Sequence, residues 1–498
     1  MDPTTFAPCP SPFNLTAYVL SAAERLPDKI ALSVVKPTGA QRWSYAQLER
    51  AVRGCASGLL AEGLAPGDRL LMRVGNSVEF PVAYLAAIAV GIVPVPTSSQ
   101  LTAREVTTLM NLVAPKAVLH DGVSACPDHP LILQTSAMSG WYDLDPAPYD
   151  FGDPDRLAYI IFTSGTSGTP RAVCHAHRAI WARRMMMDGW YGLTEADRLM
   201  HAGAFNWTYT LGTGLLDPWT KGATALIPAQ GVEHAQLPLL LKRNDASIFA
   251  AAPGVYRNIL KLDTIDVPKL RHGLSAGEKL PAATRQGWQE KTGTRIYEAF
   301  GMSECSTFVS TAPGTPDVSE TSLGWPQNGR QVAILGEDGP LDAGATGIIA
   351  IHKTDPGLML GYLDQPEATA AKFRGDWFLT GDSGEFTPSG DILYHGRADD
   401  MMNAGGFRVS PLEVETVLLS HPAVHDVGVT DIEIKADARV IAAYVVTDTD
   451  LNESDLADWV ATRLARYKQP RVFRRVAALS RNANGKLMRR ALPQLATL

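Results

Sequence analysis

Seven consecutive residues, Thr163, Ser164, Gly165, Thr166, Ser167, Gly168 and Thr169, carry a small hydroxyl or no side chain, and Pro170 and Arg171 follow them. They come directly after the apolar run 159–162. A strand entering such a loop can wrap a chain of phosphates. Glycines let backbone N–H groups approach and point inward, and hydroxyls add donors. Arg171 adds a fixed positive charge. A flexible linker has a similar composition, but the apolar run before the loop and the Pro-Arg after it argue against one. Nor is this a P-loop, which needs a second glycine and then lysine after four intervening residues; from Gly165 that spacing reaches Pro170 and Arg171. Phosphate chemistry is indicated, without the P-loop or the dinucleotide fingerprint.

Other clusters carry weaker signals singly. Gly301-Met302-Ser303-Glu304 follows an expected strand, and a carboxylate at a strand end suits a Mg²⁺ ion bridging phosphates, although a solvated surface Glu has the same appearance. Ser275-Ala276-Gly277-Glu278 is a small-residue turn after another strand. Asp382, after Thr380 and Gly381, is placed to accept two hydrogen bonds from a ribose or simply to form a turn. Arg397, in Gly396-Arg397-Ala398-Asp399-Asp400, could offer its guanidinium to the same ribose. Asn484-Gly485-Lys486, with Arg489 and Arg490, is a basic turn near the end; alone it reads as a solvated basic tail.

The elements that must position these groups form an α/β pattern. Helical spacing over 46–62, 78–90 and 106–112 alternates with strand-like runs at 69–74, 92–96 and 117–120, which predicts a layered structure with parallel strands. The rhythm resumes after the loop, with strands at 224–227, 247–251, 273–276 and 295–300. From about residue 321 short strands among Gly, Asp and Pro turns (331–335, 347–352, 390–395) predict a β-rich subdomain. The last hundred residues read as a small α+β domain, with helices at 411–420 and 453–464 and strands at 424–431 and 439–447. The expected division is 1–398 and 399–498. A chain of 498 residues needs more than one core. Its 19% charged residues and net charge of −7 offer no basic surface for nucleic acid. The five cysteines are scattered without metal-ligand spacing, the N-terminus lacks a signal-peptide pattern, and the apolar stretch 80–95 is short for a membrane span, so a cytoplasmic protein is expected, with monomer and homodimer both open.

Taken together and in this order, the clusters at 163–171, 301–304, 380–382, 396–400 and 484–486 resemble the ANL adenylate-forming superfamily of acyl- and aryl-CoA synthetases, adenylation domains and luciferases. The resemblance runs from residue 14 to 490. It implies a large N-terminal domain, a small mobile C-terminal domain, and the substrates and cofactors ATP, Mg²⁺ and coenzyme A. A carboxylate attacks the α-phosphate of ATP to give acyl-AMP and pyrophosphate, and a thiol then displaces AMP. By resemblance, Thr163, Ser164, Gly165, Thr166, Ser167, Gly168 and Arg171 would hold the β- and γ-phosphates. Ser303 would contact the α-phosphate, and Glu304 the Mg²⁺. Ala276, Gly277, Glu278, Phe300, Gly301 and Met302 would line the adenine and acyl pockets, with Phe300 on the adenine. Asp382 and Arg397 would hold the ribose, Asp399 would be the hinge, Lys486 the catalytic lysine, and Gly405 and Gly406 would border the thiol tunnel. The chain departs from the family pattern at Arg171-Ala172, where Lys-Gly is usual, at Ile348, where Glu is usual, and at Ser480, where Pro is usual; Arg retains the charge at 171 with another geometry.

The acyl-pocket segment Phe205-Asn206-Trp207 has no acid to hold an ammonium, which argues against an α-amino acid. Gly301 stands where acetate-specific relatives carry Trp, so a longer acid is expected, medium-chain or aromatic. A CoA ligase is favoured over an enzyme that loads a carrier protein. A catalytically dead acyl-nucleotide sensor is disfavoured by the retention of Lys486, Glu304 and Asp382.

Overall fold

The computed structural model describes residues 6–163, 170–398, 400, 402–404, 407–435, 438–448, 451–464, 466–481 and 485–495. By contact density these form two units. The first comprises the chain up to Val318 with Leu323–Gln331 and His352–Trp377; the second comprises Ser319–Ser322, Val332–Ile351 and the chain from Phe378 onward.

The first unit is built on a nine-stranded sheet. Six central strands run parallel, in the order Arg295–Met302, His272–Ala276, Ile248–Ala250, Arg198–His201, Thr224–Pro228 and Ile30–Lys36. Antiparallel strands flank them, Ser306–Ser310 and Trp325–Pro326 on one side and Gly39–Ser44 on the other. A second sheet is wholly parallel, in the order Val93–Pro96, Arg69–Arg73, Ala117–His120 and Ile132–Gln134. The expected α/β architecture is therefore present, and the expected strand at 117–120 has the same bounds.

Local chemistry sets the helices. Ser44 and Gln47 form a reciprocal capping box that starts helix Tyr45–Ala61, and Thr102 with Glu105 does the same for Ala103–Val113. The latter ends at Ala114, in left-handed conformation, just before Pro115. The apolar stretch 80–95 forms the buried helix Glu79–Ala89 and then a strand, and among the described residues no helix is long and apolar enough to cross a membrane. Ten of that helix's eleven residues are buried, so it has no polar face. It packs into a cluster that runs from Phe13 to Ile227 and includes Leu59, Leu85, Leu215 and Trp219.

A third sheet carries Thr163 and Arg171, the residues that flank the expected phosphate loop. Strands Leu157–Thr163 and Arg171–Ala176 pair antiparallel with Thr163 opposite Arg171, and Gly361–Tyr362 joins the second of them. Ser164, Gly165, Thr166, Ser167, Gly168 and Thr169 lie outside the described residues.

In the second unit, Val332–Leu335, Gly347–His352, Trp377–Phe386 and Ile392–Arg397 share one sheet. The last strand begins two residues later than its expected position, because Gly390 takes a left-handed turn conformation. Farther along, hairpin Asp426–Lys435 and Ala438–Val446, with Val472–Arg475 parallel to its second strand, packs on helices Pro411–Leu419 and Glu453–Ala461 around Val414, Leu418, Val429, Ile441 and Val460. The sequence reading of Arg489 as part of a solvated tail is corrected here. Its side chain is 13% exposed, with Nη2 3.2 Å from Glu415 Oε2 and Nε 3.6 Å from Asp400 Oδ2. A buried carboxylate needs a paired cation, and Glu415 recruits one from 74 residues away.

Candidate active site

The parallel strands of the first unit deliver the candidate residues to one edge. Strand His272–Ala276 ends at Ala276, Arg295–Met302 ends two residues before Glu304, and Arg198–His201 leads into the segment of Trp207. All three are carboxyl ends of parallel strands of one sheet, the edge at which open α/β sheets bind ligands.

At that edge Gly277 turns the chain in left-handed conformation, and a Cβ there would come within 2.6 Å of Trp207 Cζ2. The indole therefore lies over the backbone of the Ala276–Glu278 turn. Trp207 also meets Tyr209 edge-on at 5.1 Å. Phe205 goes elsewhere. It is 1% exposed and packs on Phe80 at 5.4 Å, inside the core, while Asn206 is half-buried beside it. Gly301 has a backbone reason of its own, since a Cβ would lie 2.2 Å from the Ser306 carbonyl oxygen across the hairpin. Phe300 and Met302 are half-buried, and Phe300 meets Phe308 edge-on at 5.3 Å.

Glu304 is 7% exposed, and its Oε1 accepts a hydrogen bond of 2.7 Å from the Tyr362 hydroxyl. Burial, then the Glu304 charge, raises the Tyr362 pKa, which keeps the phenol a donor. The Arg171 guanidinium lies 5.0 Å from the centroid of the Tyr362 ring. Tyr362 thus joins the cation after the phosphate loop to the expected metal-binding carboxylate. The sequence reading missed it, because a tyrosine in a turn-rich stretch has no distinguishing spacing. Tyr362→Phe would leave a buried carboxylate oxygen without its donor and is expected to lower stability by about 1–3 kcal/mol. Denaturant midpoints at neutral pH measure this, and an unchanged midpoint would show that the bond contributes nothing.

The second unit brings Asp382 and Arg397 together as opposite residues of an antiparallel pair. Asp382 is 6% exposed, with Oδ1 accepting from the Tyr394 hydroxyl at 2.8 Å and Oδ2 3.4 Å from Arg397 Nη1. Tyr394 was also invisible to sequence reasoning. Gly381 has positive φ and would place a Cβ 2.8 Å from Arg397 Nη2, so glycine leaves room for the guanidinium. Lys486 is exposed, next to Gly485 in left-handed conformation. Arg481 secures that turn, donating from Nη1 to the Gly485 carbonyl at 2.9 Å and from Nη2 to Asp426 at 2.8 and 3.0 Å. Asp399, Gly405 and Gly406 lie outside the described residues.

The sequence pattern of the AMP-binding enzyme family matches residues 19–363, and that of the AMP-binding enzyme C-terminal domain matches residues 413–486. This chain belongs to the AMP-binding enzyme family. Among relatives of this AMP-binding enzyme, the benzoate–CoA ligase of Thauera aromatica is 30% identical, over 90% of this chain and 90% of its own. The human mitochondrial acyl-coenzyme A synthetase ACSM3 is 28% identical, over 91% of this chain and 83% of its own. The crystal structure of ATP-bound MatB from Rhodopseudomonas palustris superposes with a TM-score of 0.87 at 26% identity, covering 97% and 98% of the two chains.

Proposed function

We infer that this AMP-binding enzyme is an ATP-dependent acid–thiol ligase. It converts a medium-chain or aromatic carboxylic acid, through acyl-AMP, to an acyl-CoA thioester with release of AMP and pyrophosphate. The carrying observation is the packing of Trp207, from the uncharged segment Phe205-Asn206-Trp207, over the Gly277 turn, which gives an aromatic wall for an apolar acyl group. The similarity to a benzoate–CoA ligase and to an acyl-coenzyme A synthetase supports an aromatic or other acyl substrate and CoA as the acceptor. Loading of a carrier protein is the second reading.

The proposed roles follow charge. Ser303 contacts the α-phosphate, Arg171 faces the β- and γ-phosphates that leave as pyrophosphate, and Asp382 with Arg397 orients the ribose. The Asp382 carboxylate accepts from the hydroxyls, with Tyr394 and Arg397 fixing its plane. Glu304 fits Mg²⁺, which uses one or two carboxylates and otherwise keeps waters and substrate phosphates; Tyr362 occupies one carboxylate oxygen and orients the group. When bound, Mg²⁺ supplies positive charge against the phosphate oxygens. Lys486 is the catalytic lysine of a C-terminal domain that begins at 399 and pivots at Asp399, and Gly405 and Gly406 leave room for the pantetheine thiol. The proposed setting is the cytoplasm.

The deciding experiment follows pyrophosphate and AMP release over a panel of acids with and without CoA. The expected result is AMP turnover that requires CoA and peaks on benzoates or medium-chain acids. Turnover only with a carrier protein bearing a free pantetheine thiol would replace this reading with the second one.

A further inference from the structure

The segment carrying Ser303 and Glu304 is tied down from beneath by side chains that no step above uses. His175, in strand Arg171–Ala176, is 3% exposed and stacks on Tyr159 with ring centroids 4.9 Å apart at 17°. Its Nε2 lies 2.8 Å from the Ser303 carbonyl oxygen. A carbonyl only accepts, so Nε2 carries the hydrogen and donates. Burial, the largest influence, lowers the His175 pKa to about 4, so the ring is a neutral donor with this tautomer at neutral pH. Three residues on, Ser306 takes a left-handed backbone at φ 64°, and its hydroxyl accepts from Arg183 Nη1 at 2.6 Å. Arg183 is itself fixed by two bonds to buried Asp217, at 2.8 and 2.6 Å. The four-residue turn thus has one buried anchor at each end.

The anchor at Ser303 has the larger consequence. The Ser303 carbonyl and the Glu304 N–H share one rigid peptide plane. Holding that oxygen sets the rotation of the plane, and with it the directions in which both side chains leave the backbone. We propose that His175 is a positioning residue for adenylation, its Nε2–H orienting the Ser303–Glu304 peptide so that the serine and the carboxylate meet Mg²⁺·ATP together. This rests on the roles given above to Ser303 and Glu304.

Two substitutions separate the hydrogen bond from the packing. His175→Phe keeps a ring against Tyr159 and removes the donor, whereas His175→Gln removes the ring and keeps an N–H of similar reach. Binding of Mg²⁺·ATP is measured by calorimetry, ATP–pyrophosphate exchange with the best acid gives the rate, and denaturant midpoints report folding. A misplacement near 1 Å at a reacting centre costs about 10² in rate. His175→Phe is therefore expected to fold, to weaken Mg²⁺·ATP roughly tenfold and to slow exchange by roughly 10–10², while His175→Gln stays within about threefold of the parent in both. The reverse order, or two variants alike in both measurements, overturns the proposal. A parent protein that does not bind Mg²⁺·ATP overturns the site reading and this inference with it, and that result is distinct from a wrong order of the variants.

Discussion

Replacing Lys486 with alanine is expected to lower acyl-AMP formation by roughly 10²–10³ or more while largely sparing thioester formation from supplied acyl-AMP and CoA. In the first half-reaction a carboxylate must approach a polyphosphate, and both are anionic. A positioned ammonium offsets that repulsion as charge moves onto the α-phosphate, so its effect is greatest in the transition state. In the second half-reaction the attacking group is a thiol and the pyrophosphate has gone, so the same cation has little to offset. Lys486 is well placed for such a test because its side chain is exposed, and Arg481 secures the turn that bears it. Alanine should therefore leave the fold intact, and a denaturant midpoint checks this. ATP–pyrophosphate exchange measures the first step, and AMP release from supplied acyl-AMP the second. Equal losses in both would remove Lys486 from the role.

A second large effect is expected in acid. His175, His177, His201 and His272 are each at most 3% exposed, and burial lowers their pKa values from 6.5 to about 4, 3, 3 and 4. Such a group binds fewer protons in the folded chain than in the unfolded one at any pH between the two values. Stability therefore rises with pH across that window, is fully present above about pH 6.5, and falls as the pH drops toward 4. Each histidine contributes a slope of up to about 1.4 kcal/mol per pH unit, so four together approach roughly 5 kcal/mol per unit near pH 5. Asp121 and Asp197, whose pKa values lie below 3.8, act at lower pH. Glu415, whose burial outweighs Arg489 and raises its pKa, works in the opposite sense. Denaturant unfolding at intervals from pH 8 to 5 measures the slope. A flat profile below 6.5 would show that these imidazoles are already protonated in the fold or reached by water.

Much of this was legible in the sequence, and the reasons differ by element. The parallel strands announced themselves through apolar runs bounded by turn residues, and the motifs at Ser303, Asp382 and Arg397 through spacing along the chain. What the sequence does not display is partnership across it. Tyr362 and Tyr394 act by holding carboxylates 58 and 12 residues away, and one tyrosine in a loop carries no record of such a partner. Arg489 looks like tail chemistry until Glu415 is found beside it. The three-residue strand Ile132–Gln134 is too short to show a period. Gly301 reads as an open pocket from sequence, while the hairpin that forbids a Cβ there is a property of backbone pairing.

The all-round apolar helix Glu79–Ala89 also bears on how this chain is made. Its cluster is completed by Leu215, Trp219 and Ile227, some 140 residues downstream. At about 5–20 residues per second, a ribosome synthesises that remainder in roughly 7–30 s. For that interval the helix has only the earlier part of its native cover, such as helix Tyr45–Ala61 and the segment from Phe13, and no polar side on which to rest in water. Nascent chains of this protein therefore depend on the helices made first to shelter residues 79–89 until the downstream part of the cluster arrives.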